Sequence, residues 1–307
     1  MAPLTEHVPV LLHAVLEGLD PKPGGRFIDC TLGGAGHTMA LLDRTGPDGR
    51  VLALDADAVA IERARARLQI RFAGDRVVLA HNNFAALAEV ARRHGLVDVD
   101  GVLMDLGLSS DQLASDRGFG FQSAGLDMRF NTTQGETAAD LVNTLHADEL
   151  ADLIFQYGEE PASRRIARAI VEARPIRTAE QLARVVAEAT GRRGRLHPAT
   201  LTFQALRIAV NDELGSLIKA LPQALALLRP GGRLAVIAFH SLEDRIVKEF
   251  LRRESRSVTP QPDSPPDSTT REATLRLITL KPVVPGADEI VLNARARSAK
   301  LRIAEKL

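Results

Sequence analysis

The chain has 307 residues, 45% hydrophobic and 25% charged, a profile that excludes a disordered, fibrous or membrane-spanning protein. Its length exceeds a typical domain of roughly 100 to 200 residues, so one large or two smaller folded units are expected. Thirty-nine basic residues balance thirty-nine acidic ones, which excludes a generic attraction for polyanions and leaves any nucleic-acid binding to local patches.

No apolar run approaches the roughly 20 residues of a membrane span. The start, MAPLTEHVPVLL, lacks the basic and apolar regions of a signal peptide. A cytoplasmic protein without a membrane partner is therefore expected. The single cysteine, Cys30, allows neither an internal disulfide nor a multi-cysteine zinc site. Lying in the apolar run Phe27 to Cys30, it reads as a buried structural thiol, and no metal-ligand spacing appears elsewhere.

In chain order, the first 105 residues alternate β-rich runs with helical stretches: RFIDC, a helix from Gly36, VLALD, a helix over Ala58 to Phe72, RVVLAH, a helix around Phe84 to His94, and VDGVLMD. That order predicts a parallel sheet with helices on both faces. From Glu136 to about Leu228 helix follows helix. Ala147 to Tyr157 is amphipathic and ends at Gly158, while Thr178 and Gln181 form a capping-box pair ahead of a helix that Gly191 closes. The sheet pattern returns at GGRLAVIAF, with a helix over Leu242 to Arg253 and closing strands at TLRLITL and SAKLRIAEK. The expected organisation is a discontinuous α/β domain, 1–135 and 229–307, with an inserted all-helical domain at 136–228. The proline- and hydroxyl-rich stretch 255–271 is expected to be a mobile loop.

After the first strand comes T-L-G-G-A-G-H-T, Thr31 to Thr38, which places glycines where a strand turns into a helix. There the backbone can approach a ligand closely and the helix offers free N–H donors. Asp55 ends the next strand, 22 residues after Gly33, near the offset at which an acid accepts hydrogen bonds from ribose hydroxyls. Together they indicate an adenosine-containing ligand. A dinucleotide-binding G-x-G-x-x-G turn would need glycine at position 39, which is Met39. S-adenosylmethionine carries no pyrophosphate and does not need that spacing, and its positive charge favours Asp29 or Asp105. Asn82 to Phe84 and Met104 to Leu113 follow the third and fourth strands at the ligand-facing end of the sheet. Phe84 is a candidate to stack on adenine, or else part of the core.

Eight ordered segments resemble the bacterial RsmH (MraW) family of 16S rRNA cytidine-N4 methyltransferases along nearly the whole chain. They are H-V-P-V-L-L from His7, D-C-T-L-G-G-A-G-H-T from Asp29, D-L-G-L-S-S-D-Q-L from Asp105, R-G-F-G-F from Arg117, L-D-M-R from Leu126, H-P-A-T-L-T-F-Q-A-L-R-I-A-V-N from His197, F-H-S-L-E-D-R-I-V-K from Phe239 and R-S-A-K-L-R from Arg297. The resemblance implies a class I S-adenosylmethionine-dependent methyltransferase fold, a Rossmann-like sheet with an inserted helical domain, acting on the decoding region of 16S rRNA within the small ribosomal subunit. Carried over position by position, cofactor contacts fall on Ala35, Gly36, His37, Asp55, Phe84, Asp105 and Gln112. The chain departs from the family at Leu201, at Ala124-Gly125 before Leu126, and at Ala294, none of them a cofactor position.

A cytosine exocyclic amine is a poor nucleophile, so hydrogen-bond acceptors aimed at its N–H groups are needed. Asp105-Leu106-Gly107 stands where many amino-methyltransferases carry a D/N/S-P-P-Y/F tetrapeptide. Either the Asp105 carboxylate or a carbonyl of the Leu106 to Ser109 loop is expected to accept from the target amine, unless Asp105 only orients the methionine ammonium. Ser241 with Asp244 is expected to cap the next helix, and His240 is left as a catalytic-site contact to the base. For RNA, 159–207 holds ten arginines against five glutamates. The expected phosphate contacts are Arg192, Arg193 and Arg195 in the GRRGR loop and Arg295, Arg297, Lys300 and Arg302 in the basic tail. Whether the chain forms a homodimer is not fixed by the sequence. Readings in competition are an amino-methyltransferase of another nucleic acid, an NAD-linked oxidoreductase, and an assembly factor that holds RNA without catalysis.

Overall fold

The computed structural model describes residues 9–72, 74–191, 194, 197–258 and 270–307. They form two compact units, 1–107 with 215–307 and 108–214.

The first unit opens with α1 (Leu12–Leu19), β1 (Arg26–Asp29), α2 (Gly36–Arg44), β2 (Arg50–Asp55), α3 (Ala58–Arg71), β3 (Val77–His81), α4 (Leu87–Arg93) and β4 (Val99–Asp105). The second contains α5 (Ser110–Leu113), α6 (Ala138–Thr144), α7 (Ala147–Gly158), α8 (Ser163–Glu172), α9 (Ala179–Thr190) and α10 (Thr200–Asn211). The chain continues through α11 (Glu213–Leu227), β5 (Leu228–Ala238), α12 (Ser241–Glu254), β6 (Leu275–Leu277), α13 (Ala287–Leu292) and β7 (Lys300–Lys306).

The seven strands lie in the order β3-β2-β1-β4-β5-β7-β6. Strands β1 to β5 run parallel, and β7 is antiparallel to both β5 and β6. This is the class I methyltransferase fold. Its central strands read as unbroken apolar runs because both faces are covered: Ile28, Leu52, Leu54, Val102 and Met104 enter one core, and Phe27, Val51, Ala53 and Leu103 the other. The chain leaves β1 towards β2 and β3, then returns to β4 on the other side. The order therefore reverses between β1 and β4, and the crevice at their carboxyl ends is where open α/β sheets bind ligands.

The unit boundaries differ from the expected 136–228. Phe119, Leu126 and Met128 belong to the core of the helical unit, although their segment is not helical. Conversely α11 sends Leu217, Leu221 and Ala224 into the sheet core. Periodicity reports that a segment is helical, not which partner buries its apolar face.

Two helix ends also differ. In α7 Gly158 is still helical and Glu159 takes the left-handed cap at φ 51°; glycine stands at 158 for close approach and not as the cap, since a Cβ there would stand 2.6 Å from the Leu201 carbonyl oxygen. Thr178 does accept from the Gln181 amide, but the Gln181 side chain accepts from Arg177 rather than closing the box on Thr178. Gly191 closes α9 as expected, in the left-handed region. Of the stretch 255–271, residues 259–269 lie outside the described residues. Val258 and Arg271 at its two ends form an antiparallel bridge. Cys30 is buried among apolar neighbours and its thiol is pushed well up by burial. Among the described residues no helix is long and apolar enough to cross a membrane.

Candidate functional site

The turn after β1 is held by its own backbone and by Asp55. Leu32 N donates to Leu54 O at 2.8 Å, Gly33 N donates to Asp55 Oδ2 at 2.8 Å, and Asp57 N donates to Asp55 Oδ1 at 2.8 Å. Gly33 at φ 46° and Ala35 at φ 65° both lie in the left-handed region, which turns the chain sharply into α2. Gly36 has no space for a side chain, since a Cβ would meet Pro9 Cγ at 2.3 Å. No side chain caps α2, so its first-turn N–H groups remain donors for a carboxylate or carbonyl.

Asp29 and Asp105 end the two strands that flank the order reversal. Asp29 is buried and is held by Thr38 Oγ1 at 2.7 Å and by Thr31 N at 3.1 Å; burial pushes its carboxyl up. Thr31 Oγ1 in turn accepts from the Asp105 amide at 2.7 Å. Asp105 Oδ2 lies 3.5 Å from His37 Nε2, an ion-pair distance too long for a well-formed hydrogen bond. Among the described residues neither ring nitrogen of His37 nor Oδ1 of Asp105 has a hydrogen-bond partner, although all are buried. Burial opposes the His37 imidazolium, yet Asp105 and then Asp29 outweigh it and raise its pKa. Asp55 is pushed up to about 6 by burial, against the two backbone N–H groups that favour its charge.

Five of the seven residues expected to contact the cofactor, Ala35, Gly36, His37, Asp55 and Asp105, thus gather in the first unit through the β1 turn and the ends of β2 and β4. Phe84, also in that unit, follows β3 and opens a short helix capped by Asn83. It is half-buried and packs against the core, so both readings of it hold in part. Gln112 belongs to the helical unit, where its buried side chain accepts from Ser109 N at 3.0 Å and completes a capping box.

The expected Ser241 cap shifts by one residue. His240 is the N-cap of α12: its Nδ1 accepts from Glu243 N at 3.4 Å, while the Glu243 carboxylate accepts from Phe239 N at 2.8 Å and His240 N at 3.3 Å. Asp244, expected in that cap, pairs with Arg302 at 2.7 Å and Lys300 at 3.3 Å, and these cations draw its carboxyl down against the opposing effect of burial. H-S-L-E and S-L-E-D fit the capping pattern in two frames. The frame that buries Glu243 wins because an acid buried there needs the two loop N–H groups at the end of β5.

Thr31, Thr38 and Glu243 are site residues that motif reading passed over. Their signal was a hydroxyl or carboxylate a few positions from a strand-ending residue. Of the expected phosphate contacts, Arg297 is exposed, Arg295 is half-buried and Lys300 is engaged with Asp244, while Arg302 is buried and paired with Asp244, so it is a structural cation and not a phosphate contact. Arg192, Arg193 and Arg195 lie outside the described residues.

The sequence profile described as the MraW methylase family matches residues 4–307. A protein of Thermomicrobium roseum is 56% identical over 309 residues, spanning 99% of this chain and 94% of its own length. One of Dehalococcoides mccartyi is 50% identical, with 98% and 86% covered, and one of Geobacter sulfurreducens 51%, with 98% and 99%. All three bear the name ribosomal RNA small subunit methyltransferase H.

Proposed function

Since the chain belongs to the MraW methylase family, we propose that it methylates the exocyclic N4 amine of a cytidine in the decoding region of 16S ribosomal RNA. It is an S-adenosylmethionine-dependent methyltransferase of small-subunit rRNA, and the oxidoreductase reading falls with that membership. The cytidine and its N4 atom are the finer part of the proposal. The methyl donor supplies an electrophilic methyl group on a sulfonium.

The residues at the β1/β4 crevice fit that group. Asp55 retains lone pairs for ribose hydroxyls after accepting two backbone N–H groups. The first turn of α2 offers donors to the methionine carboxylate. Asp29 and Asp105 supply negative charge for the ammonium. Buried polar atoms of His37 and Asp105 that have no hydrogen-bond partner among the described residues, the two side chains meeting only as an ion pair at 3.5 Å, mark a site that a polar ligand completes, because buried polar atoms are costly when their hydrogen bonds are left unmade. That observation carries the proposal.

On the substrate side, Asp105 or a carbonyl of the Leu106 to Ser109 loop accepts from the target amine, which holds its N–H groups and leaves the nitrogen lone pair free to attack. A preorganised acceptor of this kind stabilises charge only as it develops. His240, whose Nδ1 is taken by its own helix cap and whose Nε2 lies 3.1 Å from Glu243 Oε1, serves as a contact to the base. Arg297, with no partner among the described residues, is the strongest phosphate contact in the tail.

The test is incubation with methyl-labelled S-adenosylmethionine and small subunits lacking the modification, followed by nucleoside mass spectrometry. N4-methylcytidine is expected; label in another nucleoside overturns the N4 assignment and leaves the methyltransferase. Asp105→Asn is expected to lose turnover by at least about a hundredfold, the scale of one oriented polar group. Retention of both cofactor affinity and turnover removes Asp105 from both roles.

A further inference from the structure

One side chain from outside the glycine-rich turn grips its backbone. Arg67 of α3, 33 positions further along the chain, donates from Nη1 to the Gly34 carbonyl at 3.0 Å. Resting on the reading that this turn holds S-adenosylmethionine, we propose that Arg67 is a positioning residue for the cofactor. It acts through the Gly34–Ala35 peptide rather than on the reacting atoms.

That peptide is the part of the turn most free to move by itself. Glycine takes either sign of φ at similar cost, so Gly34 does not resist rotation of the plane that follows it. Rotation would also release Ala35 from φ 65°, a region that disfavours any residue with a side chain and is kept only where the surroundings impose it. Two bonds hold the plane. On one edge the Ala35 N–H donates to Leu32 O at 2.7 Å, and on the other Arg67 takes the Gly34 carbonyl. The rest of the turn has its own partners, since Thr31 N, Leu32 N and Gly33 N donate to Asp29, Leu54 and Asp55. With the plane fixed, the uncapped N–H groups that open α2 at Gly36 are fixed with it. Arg67 is half-buried, and among the described residues no acid pairs with it. An uncompensated guanidinium beside a helix N-terminus adds to the positive end of the helix dipole, which favours an anion there; the methionine carboxylate is the anion that the cofactor brings. Arg71, one turn further along α3, provides the contrast. It pairs with Asp43 of α2 at 2.7 Å, both side chains exposed, and so ties helix to helix without touching the turn.

Arg67→Met removes donor and charge while keeping the apolar stem, and Arg67→Gln, shorter and uncharged, takes its place if the methionine disturbs folding. Either is expected to raise both Kd and KM for S-adenosylmethionine about tenfold, the scale of one charge-assisted hydrogen bond. The kcat at saturating cofactor and the melting temperature of the cofactor-free protein are expected to stay at wild-type values, the split that marks binding lost equally from ground and transition states. Arg67→Lys keeps a charged donor and is expected to recover most of the loss, while Arg71→Ala is expected to bind as the wild type does. Wild-type Kd in the folded uncharged variant overturns the proposal. An equal loss in Arg71→Ala also overturns it, by assigning the effect to the packing of α3 on α2, as does a fall in kcat at unchanged KM. If the wild-type enzyme itself does not bind S-adenosylmethionine, the cofactor reading fails first; if it binds and the Arg67 variants match it, the positioning role alone fails.

Discussion

Asp55 carries two duties that pull against each other. Its oxygens accept backbone N–H groups from Gly33 and Asp57 and so shape the turn, while burial pushes its pKa up to about 6. In the unfolded chain the same carboxyl titrates near 3.8. Between those values the native state binds more proton than the unfolded one, so this group's contribution to stability falls as pH rises from about 4 to 6. Its proposed use as an acceptor for ribose hydroxyls runs the other way, because only the carboxylate accepts from both. Cofactor affinity measured by titration calorimetry is therefore expected to tighten as pH rises through about 6, and Asp55→Asn to remove that step. A step of equal size in the variant assigns it to another group. The neighbouring threonines show the same economy: Thr31 and Thr38 hold Asp29, and Thr31 also holds the Asp105 amide. The two strand-ending acids are thereby fixed by hydroxyls inside the glycine-rich segment itself.

At the scale of elements, close approach decides where helices end and how they are capped. The last helical residue of α7 is glycine because α10 passes it, with the Leu201 carbonyl where a Cβ would sit. Gly158→Ala raises intrinsic helix propensity by roughly 1 kcal/mol, but the added carbon meets backbone that has no rotamer to yield. The expected net outcome is destabilisation of about 1–3 kcal/mol, seen as a lower denaturant midpoint with an unchanged m-value. A stabilised variant would mean that the two helices separate easily. Gly36 against Pro9 poses the same constraint beside the cofactor turn. The α12 cap likewise follows burial rather than motif. His240 and Glu243 close the box at the end of β5, and Asp244, one residue on, turns to Arg302 of β7. The α12 terminus is thus fastened to two strands of the sheet.

For the whole molecule, zero net charge means that RNA affinity comes from a small number of local contacts. Arg297→Ala is expected to weaken RNA binding evenly across sequences and to lower the slope of log affinity against log salt by about 1. An unchanged slope excludes a phosphate contact at this arginine.

Much of this protein was legible in the residues alone. Strand periodicity placed β1 to β4 to within a residue and β5 and β7 to within three, and the glycine-rich turn with Asp55 pointed to the adenosine ligand, because these signals are local: pleat, turn and strand end lie within a few positions of each other. Asp29 and Asp105 were recognisable as strand-ending acids for the same reason. Only the tertiary structure decided what depends on partners distant in sequence. It assigned α11 to the sheet core and residues near Leu126 to the helical core, set the frame of the α12 cap, ended α7 beyond Gly158, and paired His37 with Asp105. In each case two local arrangements were nearly equal in energy, and burial against a distant surface chose between them.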